Sequence, residues 1–150
     1  MYCSCPILLA FALVEYSYDA TKTKSQVVQA LRNQGVPYSD FRDWLCLVKH
    51  QSEYGYDVVS NNTNGSKDYD IFQMNSNYFC GKAKGTSSST CLRVNTYGCA
   101  VTCSSFTNSD ISNDANCAVR VKSCGGFGKW YGWRDHCSNV KVSEYDYSSC

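Results

Sequence analysis

The sequence predicts an α+β fold in which helices come first, a small sheet follows and helices return, the whole stapled by disulfides. Three observations carry this. Apolar residues recur at the 3.6-residue period on both sides of the chain's middle, the middle loses that period around an Asn-Gly turn at 64 and 65, and eleven cysteines are spread through 150 residues. A hydrophobic share of 43% with two prolines is a globular balance, and the length suits one domain with a true core.

The elements follow in order. Residues 25–35 read as a helix with Val27, Val28 and Leu31 on one face, a cap at Thr23 with Gln26 three residues later, and Gly35 at the end. Pro37 blocks its continuation. A second helix starts near Ser39 or Asp40 and aligns Phe41, Trp44, Leu45 and Val48 on one face. Continuing its period places Gln51 beside that buried stripe and rotates Glu53 about 200° away from Gln51. From Gly55 the pattern changes, with a short strand expected over 69–74 and an irregular excursion over 81–98, rich in Gly, Ser, Thr and Lys. Helical spacing returns over 109–121, with Ile111, Ala115, Ala118 and Val119 on one face, and stops at Gly125-Gly126. Trp130, Trp133 and Cys137 then mark a short helix.

Composition narrows the function classes. A formal net charge of +1, without any lysine-arginine block, excludes a nucleic-acid surface. The cysteine density fits an oxidising compartment. Residues 6–14 form an apolar run of nine, suited to a signal-peptide core and far too short to span a bilayer. Residues 1–18 are therefore expected to be a secretory signal peptide and 19–150 the domain, which makes the protein secreted and extracellular, without transmembrane association. Loss of 1–18 removes Cys3, Cys5 and Glu15, leaving nine cysteines and a charge of 14 minus 12, or +2. An odd count leaves one thiol free or paired outside the chain.

By themselves Asp68 and Asp70 read first as turn acids that hydrogen-bond their own backbone. Glycoside hydrolysis asks for more, namely a protonated donor for the leaving oxygen and a second carboxylate facing the anomeric carbon. Asp68 suits only the second role. Asp70, two residues on, would share its face in a regular strand and raise its pKa, or else point outward at a turn.

The run NTNGSKDYDIFQMNS, residues 62–76, resembles the NxxDGSxDYGIxQIN motif of c-type lysozymes, with Asp68 at the catalytic aspartate. Trp44-Leu-Cys46, Cys99-x3-Cys103, Cys117 and Trp130-x2-Trp133-x3-Cys137 extend the likeness from about residue 22 to 150. On these motifs the chain resembles a divergent, insect-like member of the c-type lysozyme and lactalbumin family, glycoside hydrolase family 22. The resemblance implies a helical lobe, a small antiparallel sheet lobe and multiple disulfides. It also implies a sugar groove lined by Gln73, Asn75, Tyr78, Phe79 and Trp130. Read without the family, Trp130 and Phe79 serve equally well as core residues.

Two departures stand out. The family pattern C-x4-E-S-x-[FY] puts a glutamate where this chain has Gln51, and an amide has no titratable proton to donate. Glu53 would substitute only through a local distortion of the helix. Asp70 replaces the family's glycine, a backbone position at which a side chain invites strain.

Family matching implies disulfides Cys46–Cys137, Cys80–Cys103 and Cys99–Cys117. Ser25 takes the place of the amino-terminal cysteine that would pair near the carboxyl end, Cys91–Cys124 is a candidate extra bridge, and Cys150 is left for an intermolecular disulfide. His50 and His136 lie far apart in sequence and lack a zinc spacing. Asn108, Asp110, Asn113 and Asp114 resemble the region where calcium-binding relatives place oxygen ligands, but the acidic set is incomplete, so no metal and no cofactor is expected. Asn61 and Asn64 each open an N-glycosylation acceptor triplet.

The favoured reading is a secreted lysozyme-like protein that binds N-acetylglucosamine-containing glycans, from peptidoglycan or chitin, with lost or weak muramidase activity. The alternatives are an active lysozyme cleaving β-1,4 bonds of peptidoglycan with Asp68 and an unconventional acid, and a protein-binding regulator built on the same fold. The pairing implied by the resemblance predicts that a non-reduced digest of the mature chain will recover Cys150 in no intrachain pair; a peptide linking it to Cys91 or Cys124 would contradict that assignment.

Overall fold

The computed structural model describes residues 20–139. The expected leader, with Cys3 and Cys5, and Cys150 at the other end all lie outside that range.

Helix α1 (Lys24–Asn33) opens on a capping box: the Thr23 hydroxyl accepts from the Gln26 amide at 3.2 Å, and the Gln26 side chain accepts from the Thr23 amide at 2.9 Å. Its Val27, Val28 and Leu31 are fully buried. One 3-10 turn, Tyr38–Asp40, leads into α2 (Phe41–Ser52). The predicted stripe of α2 faces inward, and Cys46 and Leu47 are buried as well, so nearly its whole girth is core. The Trp44 indole sits at the centre, edge-on to Phe72, Phe127 and Trp130 at ring separations of 5.6, 5.0 and 5.6 Å.

Helix α2 stops abruptly. Glu53 takes a left-handed backbone, φ 51° and ψ 43°, and Tyr54 follows at φ 66°. The Ser52 hydroxyl donates to Ile71 O at 2.7 Å, which pins this helix end to the loop after the sheet's second strand.

The sheet has three short antiparallel strands, β1 (Val59–Asn61), β2 (Lys67–Tyr69) and β3 (Met74–Asn75), in that spatial order. Asp68 lies on the central strand, opposite Ser60 on one side and Asn75 on the other. The Asn-Gly turn joins β1 to β2, with Gly65 at φ 87°. The single strand expected over 69–74 is instead the end of β2, a tight turn and the start of β3. Alternation fails because Asp70 and Gln73 take left-handed backbones, φ 78° and 56°, which reverse the chain between the strands.

The sequence predicts an irregular stretch over 81–98, yet it contains α3 (Thr90–Tyr97). Ser89 caps it by accepting from the Leu92 amide at 3.1 Å. Only Val94 of this helix is buried, so it carries almost no apolar period. Helix α4 (Ser112–Gly125) buries Asp114, Ala115, Cys117, Ala118 and Val121, while Val119 is only partly covered. Helix α5 (Tyr131–His136) closes the described chain against α2.

Four disulfides tie these parts: Cys46–Cys137 joins α2 to the end of α5, Cys91–Cys124 joins α3 to α4, Cys99–Cys117 joins the α3 exit to α4, and Cys80–Cys103 holds the loop after β3.

Trp44→Ala should lower the unfolding free energy by about 3–5 kcal/mol in urea denaturation, because it empties the centre of the aromatic cluster. Leu92→Ala, at a position 55% exposed on α3, should change it by no more than about 0.5 kcal/mol.

Candidate functional site

A groove of about 730 Å³ runs between the sheet and α5, and Gln51, Asp68, Gln73, Asn75, Tyr78, Phe79 and Trp130 all line it. Asn61 and Asn64 form part of its rim. Glu53 is not among the lining residues; it is exposed, at the left-handed cap of α2.

Helix α2 delivers Gln51 one turn beyond the buried stripe, where it meets α5. Its Oε1 accepts from the Gly132 amide at 3.0 Å. Since only the oxygen can accept that N–H, the amide group's orientation is fixed, and Nε2 has no protein partner among the described residues. Gly132 makes this approach possible: a Cβ there would collide with Gln51 Oε1.

Asp68 is held by a polar chain that begins in the Asn-Gly turn. Asn64 Oδ1 accepts from the Ser66 amide at 3.0 Å and the Ser66 hydroxyl at 2.6 Å. Asn75 Nδ2 donates to Asp68 Oδ1 at 2.8 Å and to Ser66 Oγ at 3.1 Å. The turn therefore positions Asn75, and Asn75 aims one carboxylate oxygen of Asp68.

Gln73 lines the groove with its amide already committed. Its Nε2 donates to Asp70 O at 2.8 Å and Val58 O at 3.1 Å, and its Oε1 accepts from Ser60 Oγ at 2.7 Å. It braces the turn and leaves both N–H groups spent. Trp130 is wall and core together, 3% exposed, with Nε1 donating to Phe72 O at 2.9 Å. Tyr78 is 59% exposed and tilted against Phe79 at 6.1 Å, a ledge of aromatic surface at the groove mouth.

Asp70 does not flank Asp68. The chain turns before a shared strand face can form, and the Asp70 side chain is fully buried, with Oδ1 accepting from the Phe72 amide at 2.6 Å. Burial first, then Asp114, pushes its carboxyl well above the usual range.

Tyr131 and Arg134, on the α5 lip, were not anticipated. The Arg134 guanidinium lies 4.1 Å from the Tyr131 ring centre and brings a cation to the groove. Their i, i+3 spacing was the available signal, masked by the stronger tryptophan and cysteine period.

Metal ligation finds little to build on. His50 and His136, expected apart, stack at 4.3 Å because α2 and α5 pack side by side. The nearest ligand cluster among the described residues is Cys46, His50 and Cys137, and its two sulfurs are bonded to each other. In the region compared with calcium sites, two side chains bond within their own loop and a third turns inward. Asn108 Oδ1 accepts from the Asp110 amide, Asp110 Oδ1 accepts from Ser112, and Asp114 is buried inside.

A deep groove beside a sheet-borne aspartate, clamped by this disulfide set, invites comparison with known proteins. A family model described as C-type lysozyme/alpha-lactalbumin family matches residues 20–150. The chain belongs to that family. It is 38% identical to a lysozyme of Galleria mellonella over 131 residues, covering 87% of this chain and 99% of the relative. A Bombyx mori lysozyme is 36% identical over 146 residues, covering 95% and 98%. Lysozyme c-1 of Anopheles gambiae is 35% identical over 127 residues, covering 85% and 82%. In this chain the Gln51–Gly132 contact joins α2 to α5 at the groove wall.

Gly132→Ala should leave stability within about 1 kcal/mol, since the helix gains what the lost hydrogen bond removes. It should also shift the Gln51 side-chain amide resonances, as the new methyl evicts Oε1. Unmoved resonances would contradict the contact.

Proposed function

We propose that this lysozyme-like protein binds N-acetylglucosamine oligomers in the groove and hydrolyses them weakly or not at all. The observation that carries the reading is Gln51 facing the groove where the family pattern has its glutamate. Cleavage of a glycosidic bond requires a proton on the departing oxygen as the bond breaks, while a carboxylate on the other side stabilises or captures the oxocarbenium carbon. Asp68, oriented by Asn75, suits the second task. Gln51 offers an N–H that hydrogen-bonds to an oxygen and keeps its proton. The Tyr78–Phe79 ledge suits the apolar face of a sugar ring, and the free donors of Gln51 and Arg134 suit its hydroxyl and acetamido oxygens. Glu53 is a poor substitute acid, because its left-handed cap leaves it exposed and off the groove.

The secreted setting rests on the disulfides and the apolar leader. Among the described residues no helix is long and apolar enough to cross a membrane. Glycans at Asn61 or Asn64, both on the groove rim, would narrow access to it. Peptidoglycan or chitin-like oligosaccharides are the partners of choice.

Gln51→Glu should raise peptidoglycan cleavage by about 10²- to 10⁴-fold over the wild type, with Glu53→Gln unchanged from it. The gap should shrink for an oligomer carrying a dinitrophenolate leaving group, which departs without a proton. Wild-type turnover matching that of Gln51→Glu would overturn the reading, and failure of both proteins to bind tri-N-acetylchitotriose would favour a protein-interaction role.

A further inference from the structure

Asp70 and Asp114 come from different parts of the fold and meet inside it. Asp70 leads the turn between β2 and β3; Asp114 sits in the first turn of α4. Both are 0% exposed, and their carboxyl groups lie within hydrogen-bonding reach of one another. Among the described residues, Asp70 Oδ2 and both oxygens of Asp114 have no other hydrogen-bond partner. No cation among the described residues acts on either; the further charged group felt by Asp114 is Asp110, another acid. Two bare carboxylates at this spacing in a dry interior repel strongly, and neither can donate to the other. One proton removes both problems, turning an acceptor into a donor and a repulsion into a charge-assisted bond. Asp70 also holds a left-handed backbone that disfavours most side chains, a local cost consistent with a specific role.

We propose that Asp70 and Asp114 share a proton across the junction of sheet and helices, forming a latch that tightens in acid and braces the groove. The turn it secures is the one on which Gln73 rests, since Gln73 Nε2 donates to Asp70 O, and it joins the strands bearing Asp68 and Asn75. The effect on sugar affinity rests on the groove reading above; the effect on stability does not.

The sign follows from proton counting. Burial pushes Asp70 well above the usual carboxylate range and Asp114 up to about 7. The folded protein therefore keeps protons that the unfolded chain has released, and each such group loses stability as pH rises. The loss starts near the ordinary value of 3.8 and continues through about 7. The α4 N-terminus favours the ionised form of Asp114 but does not reverse the direction. His50, lowered by burial and by His136 and Lys49, acts with the opposite sign, losing stability on acidification. Comparison with a variant that keeps His50 cancels its contribution.

The test is thermal unfolding of the wild type, Asp114→Asn and Asp70→Asn between pH 5 and 8, with carboxyl ¹³C titration of the wild type. Asparagine supplies an N–H donor at every pH and, at 70, tolerates the left-handed backbone. The latch predicts a wild-type Tm that falls by about 5 °C or more over this range, with a clearly smaller slope in either variant. It also predicts two carboxyl resonances that titrate together well above the ordinary range. A wild-type slope of zero or opposite sign relative to the variants, or both carboxyls titrating near 4, about the ordinary value, would overturn it; the titration decides even when a variant does not fold. Affinity for tri-N-acetylchitotriose should fall several-fold from pH 5 to 8 in the wild type and less in Asp114→Asn. Equal pH dependence in both would refute the coupling to the groove. Absence of binding at every pH would refute the groove reading and leave the latch to be judged by Tm.

Discussion

Helix α2 packed against α5 is the contact on which the rest depends. Along this one seam Trp44 meets Trp130, Cys46 bonds Cys137, His50 stacks on His136, and Gln51 accepts from Gly132. The Trp133 indole adds a donation to Asp43 at 3.1 Å. Core, staple and site residue share one register, so the packing that stabilises the fold also sets where the residue at 51 points. Trp130 then carries the order outward, because its indole N–H fixes the Phe72 carbonyl in the segment that links β2 to β3.

The sheet supplies the opposite wall by a separate polar device. Asn64, Ser66, Asn75 and Asp68 form a chain of short hydrogen bonds from the hairpin turn to the carboxylate. It leaves Asp68 oriented and its second oxygen without a described protein partner. The two walls therefore differ in kind: one is an apolar seam presenting an amide, the other a polar lattice presenting an acid. A catalytic pair needs a proton on one side, and the amide has none to give.

Much of this was legible in the sequence because it obeys a period. The buried stripe of α2 placed Gln51 inward and Glu53 elsewhere, and in the structure Gln51 lines the groove while Glu53 is exposed off it. What escaped was tertiary or non-periodic. The i, i+2 rule misjudged Asp70, since a positive φ turns the chain before the strand face continues. The capped helix α3 has one buried side chain and hence no stripe to read. The meetings of His50 with His136 and of Asp70 with Asp114 arise only when separate elements pack, and no local spacing reports them. The groove residues followed from a motif; the buried acid pair needed the fold.

The proposed groove holds its sugar and cleaves it weakly or not at all. The most direct measurement is calorimetric titration of the wild-type protein with hexa-N-acetylchitohexaose, followed by mass analysis of the sugar recovered after prolonged incubation. Saturable binding with the hexamer recovered largely intact is the predicted result. Recovery of shorter oligomers at an ordinary enzymatic rate of about 1 s⁻¹ or faster, or the absence of any binding, would contradict it.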